Sequence, residues 1–115
     1  MQLYDVIIVG QGIAGTWLSY YLLQMGCKVL VIDDAQPNTA SRVASGVINP
    51  VTGRQVITTW MANELLPHAW QAYQNIENEL GISVIQNTGI TAFPPTEQML
   101  QAYQQKMQEA DAYVY

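Results

Sequence analysis

The chain has 115 residues, about one domain's worth, and 4 Lys+Arg against 9 Asp+Glu give a formal net charge of −5. Its basic residues, Lys28, Arg42, Arg54 and Lys106, are too few and too scattered to follow a run of phosphates, which excludes nucleic acid as the main partner. With 50% apolar and 11% charged residues the composition is that of a folding chain, and the single Cys27 excludes an internal disulfide and suits a reducing, cytoplasmic setting.

Leu3 to Val9 ends in the apolar run Val6-Ile7-Ile8-Val9, the pattern of a parallel strand covered on both faces. Gly10 stops it. From Ile13 the residues Ala14, Trp17, Leu18, Tyr21, Leu22 and Met25 recur at helical spacing, and Gly26 ends the helix. A second run, Val29-Leu30-Val31-Ile32, closes on Asp33. The order strand, helix, strand predicts a crossover unit with parallel strands. Val6 to Cys27 is uncharged and long enough to cross a bilayer. Gly10, Gln11, Gly12, Gly15, Ser19 and Gln24 interrupt it, and no basic residue precedes it. It reads as part of a soluble protein with no membrane partner.

Residues 34–54 lack a period and hold Pro37, Asn38, Gly46, Asn49, Pro50 and Gly53, so they read as loop with one short helical turn. A helical pattern follows through Ile57, Trp60, Met61, Leu65, Ala69, Ala72, Tyr73, Ile76 and Leu80 to Gly81, with Pro67 expected to kink or divide it. Ile82 to Gln86 and Ile90 to Phe93 alternate around Asn87-Thr88-Gly89 as two strands of a hairpin. Thr96 then caps a helix with Leu100, Tyr103, Met107 and Ala110 as its inner face, and Ala112 to Tyr115 reads as the start of a strand. The change of style near residue 55 divides the chain into 1–55 and 56–115.

The chemistry lies in Gly10-Gln11-Gly12-Ile13-Ala14-Gly15, a G-x-G-x-x-G pattern between a strand and a helix. Gly10 permits the tight turn, Gly12 lets a phosphate reach the backbone, and Gly15 lets the helix pack close to the strands. Free N–H groups and the helix dipole then attract a pyrophosphate without Lys or Arg. The second strand starts 14 residues after Gly15, and Asp33 follows Gly15 by 18, near the separation of about 20 expected for a ribose-binding acid. Asp33 reads as that acid or as a cap of the next turn. Asp34 is read equally as its helper or as a surface residue, and the pair would repel a 2′-phosphate, which favours NAD or FAD over NADP. In Ser41-Arg42-Val43-Ala44-Ser45-Gly46-Val47-Ile48-Asn49-Pro50, small residues admit a flat ring, Ser41 and Ser45 offer donors, and Arg42 offsets phosphate charge. The blander reading of that segment is a turn with a helix cap.

Val6 to Gly15, Val31 to Asp34, and Ser41 to Pro50 with Val51-Thr52-Gly53-Arg54 resemble the flavoproteins related to D-amino-acid oxidase, among them glycine oxidase and sarcosine oxidase. The resemblance implies an α/β fold: a Rossmann-like FAD-binding βαβ unit followed by the start of an α+β substrate domain. It implies that Gly10, Gly12, Ile13, Ala14 and Gly15 meet the FAD pyrophosphate and Asp33 with Asp34 the adenosine ribose. Ser41, Arg42, Ala44, Ser45, Gly46 and Val47 would line the way from pyrophosphate to flavin. The activity implied is hydride transfer from an amine or amino acid to FAD, with the substrate-gripping residues expected beyond Tyr115, so the chain reads as an amino-terminal portion without turnover of its own.

No residue here stands out as catalytic acid, base, nucleophile or metal ligand; His68 reads as a helix-surface residue and Trp17, Trp60 and Trp70 as packing. Exposed strand edges predict self-association and weak FAD affinity. Two alternatives stay open: an NAD-binding Rossmann dehydrogenase domain and a non-enzymatic nucleotide-binding module.

Overall fold

The computed structural model describes residues 3–114. The chain divides into two compact units, Met1–Val47 and Ile48–Tyr115. The expected change of style near residue 55 falls in the turn of a hairpin that belongs to the second unit.

In the first unit, β1 (Val6–Val9) leads to α1 (Ile13–Gln24), then β2 (Val29–Ile32) and a short α2 (Ala40–Val43). The strands pair in parallel, Val6 opposite Val29 through Val9 opposite Ile32, as their apolar runs predict. A carboxylate sits at each end of this ladder. Asp5 Oδ2 accepts from the Lys28 amide at 2.7 Å, and Asp33 Oδ2 accepts from the Gln11 amide at 2.6 Å. Ile8 is buried against Gly15 of α1. The expected cover on both faces is absent among the described residues of this unit: Ile7 is 61% and Val9 82% exposed, because α1 lies against one side only and successive side chains of a strand point to opposite sides. On α1 itself Trp17 stacks on Tyr21 and meets Tyr20 edge-on, ring centroids 5.8 and 5.7 Å apart.

In the second unit, β3 (Val51–Thr52) and β4 (Ile57–Thr58) form a small antiparallel hairpin, followed by α3 (Ala62–Leu80) and α4 (Glu97–Gln108). Ile57 therefore belongs to a strand and Trp60 to the approach to α3, where its side chain is 81% exposed rather than packed. The helix starts late because Met61 is held in the left-handed region at φ 56. Pro67 does not divide α3, which runs as one element to Gly81, a left-handed C-cap at φ 66.

The hairpin expected over residues 82–93 does not form. Glu77 Oε1 instead accepts from the Val84 amide (2.7 Å), the Ile85 amide (3.1 Å) and the Ser83 hydroxyl (3.1 Å), so a side chain satisfies backbone donors that a strand partner would need. Thr96 caps α4 through Met99 N, as its position predicts. The covered face of α4 differs from the expected one: Met99, Ala102, Tyr103 and Lys106 are half-buried, whereas Leu100 and Met107 are exposed. The reason is a core of Val51, Val56 and Val114 on which Ala102, Tyr103 and Tyr113 pack. The expected strand at Ala112 to Val114 is a turn and a buried valine, with Asp111 Oδ1 accepting from Tyr113 N and Tyr113 Oη donating to Asn63 Oδ1 at 2.7 Å; Tyr115 lies outside the described residues. No helix among the described residues is long and apolar enough to cross a membrane.

Candidate functional site

Chain direction brings the ends of β1 and β2 together, because parallel strands finish on the same side. Gly10 follows Val9, and its amide donates to the Ile32 carbonyl at 2.8 Å. One residue later the Gln11 amide donates to Asp33 Oδ2, while Asp33 Oδ1 accepts from Ala35 N at 2.7 Å. These amides, Gln11 first and Ala35 second, hold the Asp33 carboxyl below its ordinary range, and Arg42 adds to the effect. Each carboxylate oxygen keeps acceptor capacity beyond its one amide. Val9, Gly10, Ile32, Asp33 and Asp34 line an open hollow of about 350 Å³ at this strand end.

The three glycines of the turn have three separate causes. Gly10 sits at φ +94, where a side chain is strained. A Cβ on Gly15 would collide with the Gly10 carbonyl oxygen, so α1 starts as close to the turn as a backbone allows. Gly12 has φ −71, open to any residue, and a Cβ there would lie 3.1 Å from Ser41 Oγ.

Gly12 is the N-cap of α1 and has no side chain to cap it. The Ile13 amide donates instead to Ser41 Oγ at 2.9 Å. The amides of Gly12, Ala14 and Gly15 have no acceptor among the described residues. Three N–H groups at the positive end of a helix, next to an ionised carboxylate with spare acceptor capacity, suit a diphosphate joined to a ribose. The residues present therefore fit a dinucleotide.

The sequence points to Gly10, Gly12, Gly15, Asp33 and Ser41 but not to Gln11, whose amide meets Asp33. Its role belongs to the main chain and leaves no trace in residue type. Ala44, Ser45, Gly46 and Val47 are exposed, and Gly46 takes φ +71. They lie outside the hollow at the strand end. No group of His, Cys, Asp and Glu among the described residues could hold a metal ion.

The sequence matches the family described as FAD dependent oxidoreductase over residues 5–114. The chain belongs to this family. FAD is the cofactor of FAD-dependent oxidoreductases. The chain is 37% identical over 54 residues, 47% of its length, to the uncharacterized oxidoreductase YurR of Bacillus subtilis (strain 168). It is 30% identical over 98 residues, 80% of its length, to the monomeric sarcosine oxidase of Arthrobacter sp. (strain TE1826). The matched stretches span 14% and 23% of those two relatives. No solved structure matches the chain significantly.

Proposed function

We propose that this chain is the FAD-binding amino-terminal portion of a flavin-dependent oxidoreductase that oxidises amines or amino acids. The observation that supports this best is the bond from the Gln11 amide to Asp33. It fastens the ribose-binding acid to the diphosphate turn, so the two halves of the nucleotide meet one rigid mount. Gly12, Ala14 and Gly15 offer amides to the pyrophosphate, and Asp33, with Asp34 beside it, accepts from the ribose hydroxyls. Arg42 offsets phosphate charge, and Ala44 to Val47 leave room for a flat ring because three of the four side chains are small or absent. In this reading residues 1–55 carry the Rossmann-like part of the FAD domain and residues 56–115 begin the substrate domain.

When bound, FAD supplies the two-electron acceptor chemistry. The likeness to sarcosine oxidase supports the amine or amino-acid class, and the Ser41 to Pro50 segment supports FAD over NAD. Parallel titrations with FAD and NAD, followed by protein fluorescence, test the reading. FAD is expected to bind more tightly than NAD. Preference for NAD would replace the reading by that of a nicotinamide-dependent dehydrogenase domain, and binding of neither would refute it.

A further inference from the structure

A second hollow, about 330 Å³ in volume, lies wholly within the second unit, where the chain passes from β4 into α3. Ile48 and Pro50 line it from one stretch of chain, and Trp60, Ala62, Leu65 and Leu66 from another. No lining residue is charged. Apolar and aromatic walls with a few polar groups are the ordinary make-up of a small-molecule site. An apolar cavity of about 150 Å³ already takes benzene, so this one has room for a ring with its substituent.

Trp60 is held on display beside the hollow. Before it, the Thr59 amide donates to the Pro50 carbonyl at 2.7 Å, and the Thr59 carbonyl accepts from the Ala62 amide at 3.0 Å. After it, Met61 takes φ 56, a conformation costly for a residue with a Cβ. The backbone is thus fixed on both sides of an indole that is 81% exposed and has no aromatic partner among the described residues. Asn49, which also lines the hollow, turns its Oδ1 to the Val51 amide at 3.0 Å. Its Nδ2 hydrogens have no acceptor among the described residues.

We propose that this hollow is a subsite for a neutral aromatic group, with Trp60 as the residue that selects it by stacking and Asn49 Nδ2 as donor to an oxygen on that group. Walls without charge disfavour an ionised occupant, and the flat indole favours a ring over a branched chain. Ile48 directly follows Val47, the last residue proposed to leave room for the flavin, so in that reading the ring belongs to the amine or amino acid being oxidised. That assignment to substrate rests on the function proposed above; the binding of a ring does not.

Benzyl alcohol, titrated into the full chain without FAD and followed by amide and indole NMR, tests the subsite. Shifts are expected to centre on Ile48, Asn49, Trp60 and Leu66. Trp60→Ala should weaken binding about fivefold, as for loss of an aromatic pair, and Trp60→Phe, which keeps a ring, should restore most of it. Cyclohexylmethanol, similar in size but without a π face, should bind several-fold more weakly than benzyl alcohol. No binding, shifts centred elsewhere, equal binding of the two alcohols, equal binding by Trp60→Ala, or no recovery in Trp60→Phe overturns the proposal. Solvent exchange of the Trp60 indole N–H that slows with rising protein concentration gives the hollow to a second copy and overturns it too. N-benzylglycine, which adds an amino-acid head to the same ring, should bind at least as tightly as benzyl alcohol, and weaker binding overturns the assignment to substrate. Preference for NAD over FAD would strike at the proposed function and remove that assignment, while the two alcohols would still decide the subsite.

Discussion

Asp33 Oδ2 accepts the Gln11 amide at 2.6 Å, across 22 residues of sequence, so the acid that ends β2 is tied to the turn that ends β1. The side chain proposed to meet the ribose also ties together the two strand ends beside it. In the proposed reading, binding and local stability are coupled at this residue.

Replacing Asp33 by Asn disturbs both roles. An amide group can turn its oxygen to only one of the two N–H donors, Gln11 or Ala35, and must face the other with a donor. FAD affinity is expected to fall about tenfold, as for loss of a hydrogen bond to a charged group, and isothermal calorimetry would measure it. Unchanged affinity would exclude Asp33 from the ribose.

Glu77 makes a second carboxylate-to-backbone anchor, and its behaviour with pH is defined. The Ile85 and Val84 amides hold its carboxyl below the ordinary range, with the Ser83 hydroxyl assisting. The folded value lies below the unfolded one, so the stabilisation is complete above the unfolded value, about 4.3, and is lost as pH falls through the lowered folded value. Protection of the Val84 and Ile85 amides from exchange is expected to persist at pH 5 and to vanish only on further acidification. Glu77→Gln should abolish that pH response. Amide NMR across the acid range would detect both.

Gly15→Ala should destabilise the first unit by about 1–3 kcal/mol, the usual cost of forcing extra volume into a packed place. The obstacle is a backbone carbonyl, that of Gly10, which cannot rotate aside as a side chain could. Urea unfolding would measure the loss, and a neutral result would mean that α1 has room to withdraw from the turn.

Val56 is 1% exposed and sits at φ 54, a left-handed conformation that is costly for a β-branched residue. The chain accepts this strain in exchange for packing with Val51 and Val114. Val56→Ala, which keeps most of the strain and loses two methyl groups, should cost about 2 kcal/mol. Val56→Gly should cost less than its greater loss of buried surface implies, because glycine relieves the backbone. Thermal unfolding of the two variants would rank them.

The strand, helix and strand of the first unit were legible because their apolar residues repeat locally and glycines mark the breaks. So were the turn, its carboxylate and the cap at Thr96. The rest depended on contacts remote in sequence. Strands of two residues at Val51–Thr52 and Ile57–Thr58 are too short to show a period. The alternation after Gly81 was overridden by one carboxylate, Glu77, eight residues before Ile85. The covered face of α4 turned toward Ala102 because the valine core it meets comes from Val51, Val56 and Val114. The link between Ser41 and Ile13 joins a hydroxyl to a main-chain amide, and composition cannot announce such a pair.

A ladder of only four residue pairs, all valine, isoleucine or leucine, has little in its side chains to stop β2 from sliding along β1. Asp5 at one end and Asp33 at the other each grip a backbone N–H, and a shift by a single residue would strand both carboxylates at once. The alignment of the two strands is thus set by their polar ends, like a rule clamped at its two tips. The same alignment fixes the distance from the glycine turn to Asp33.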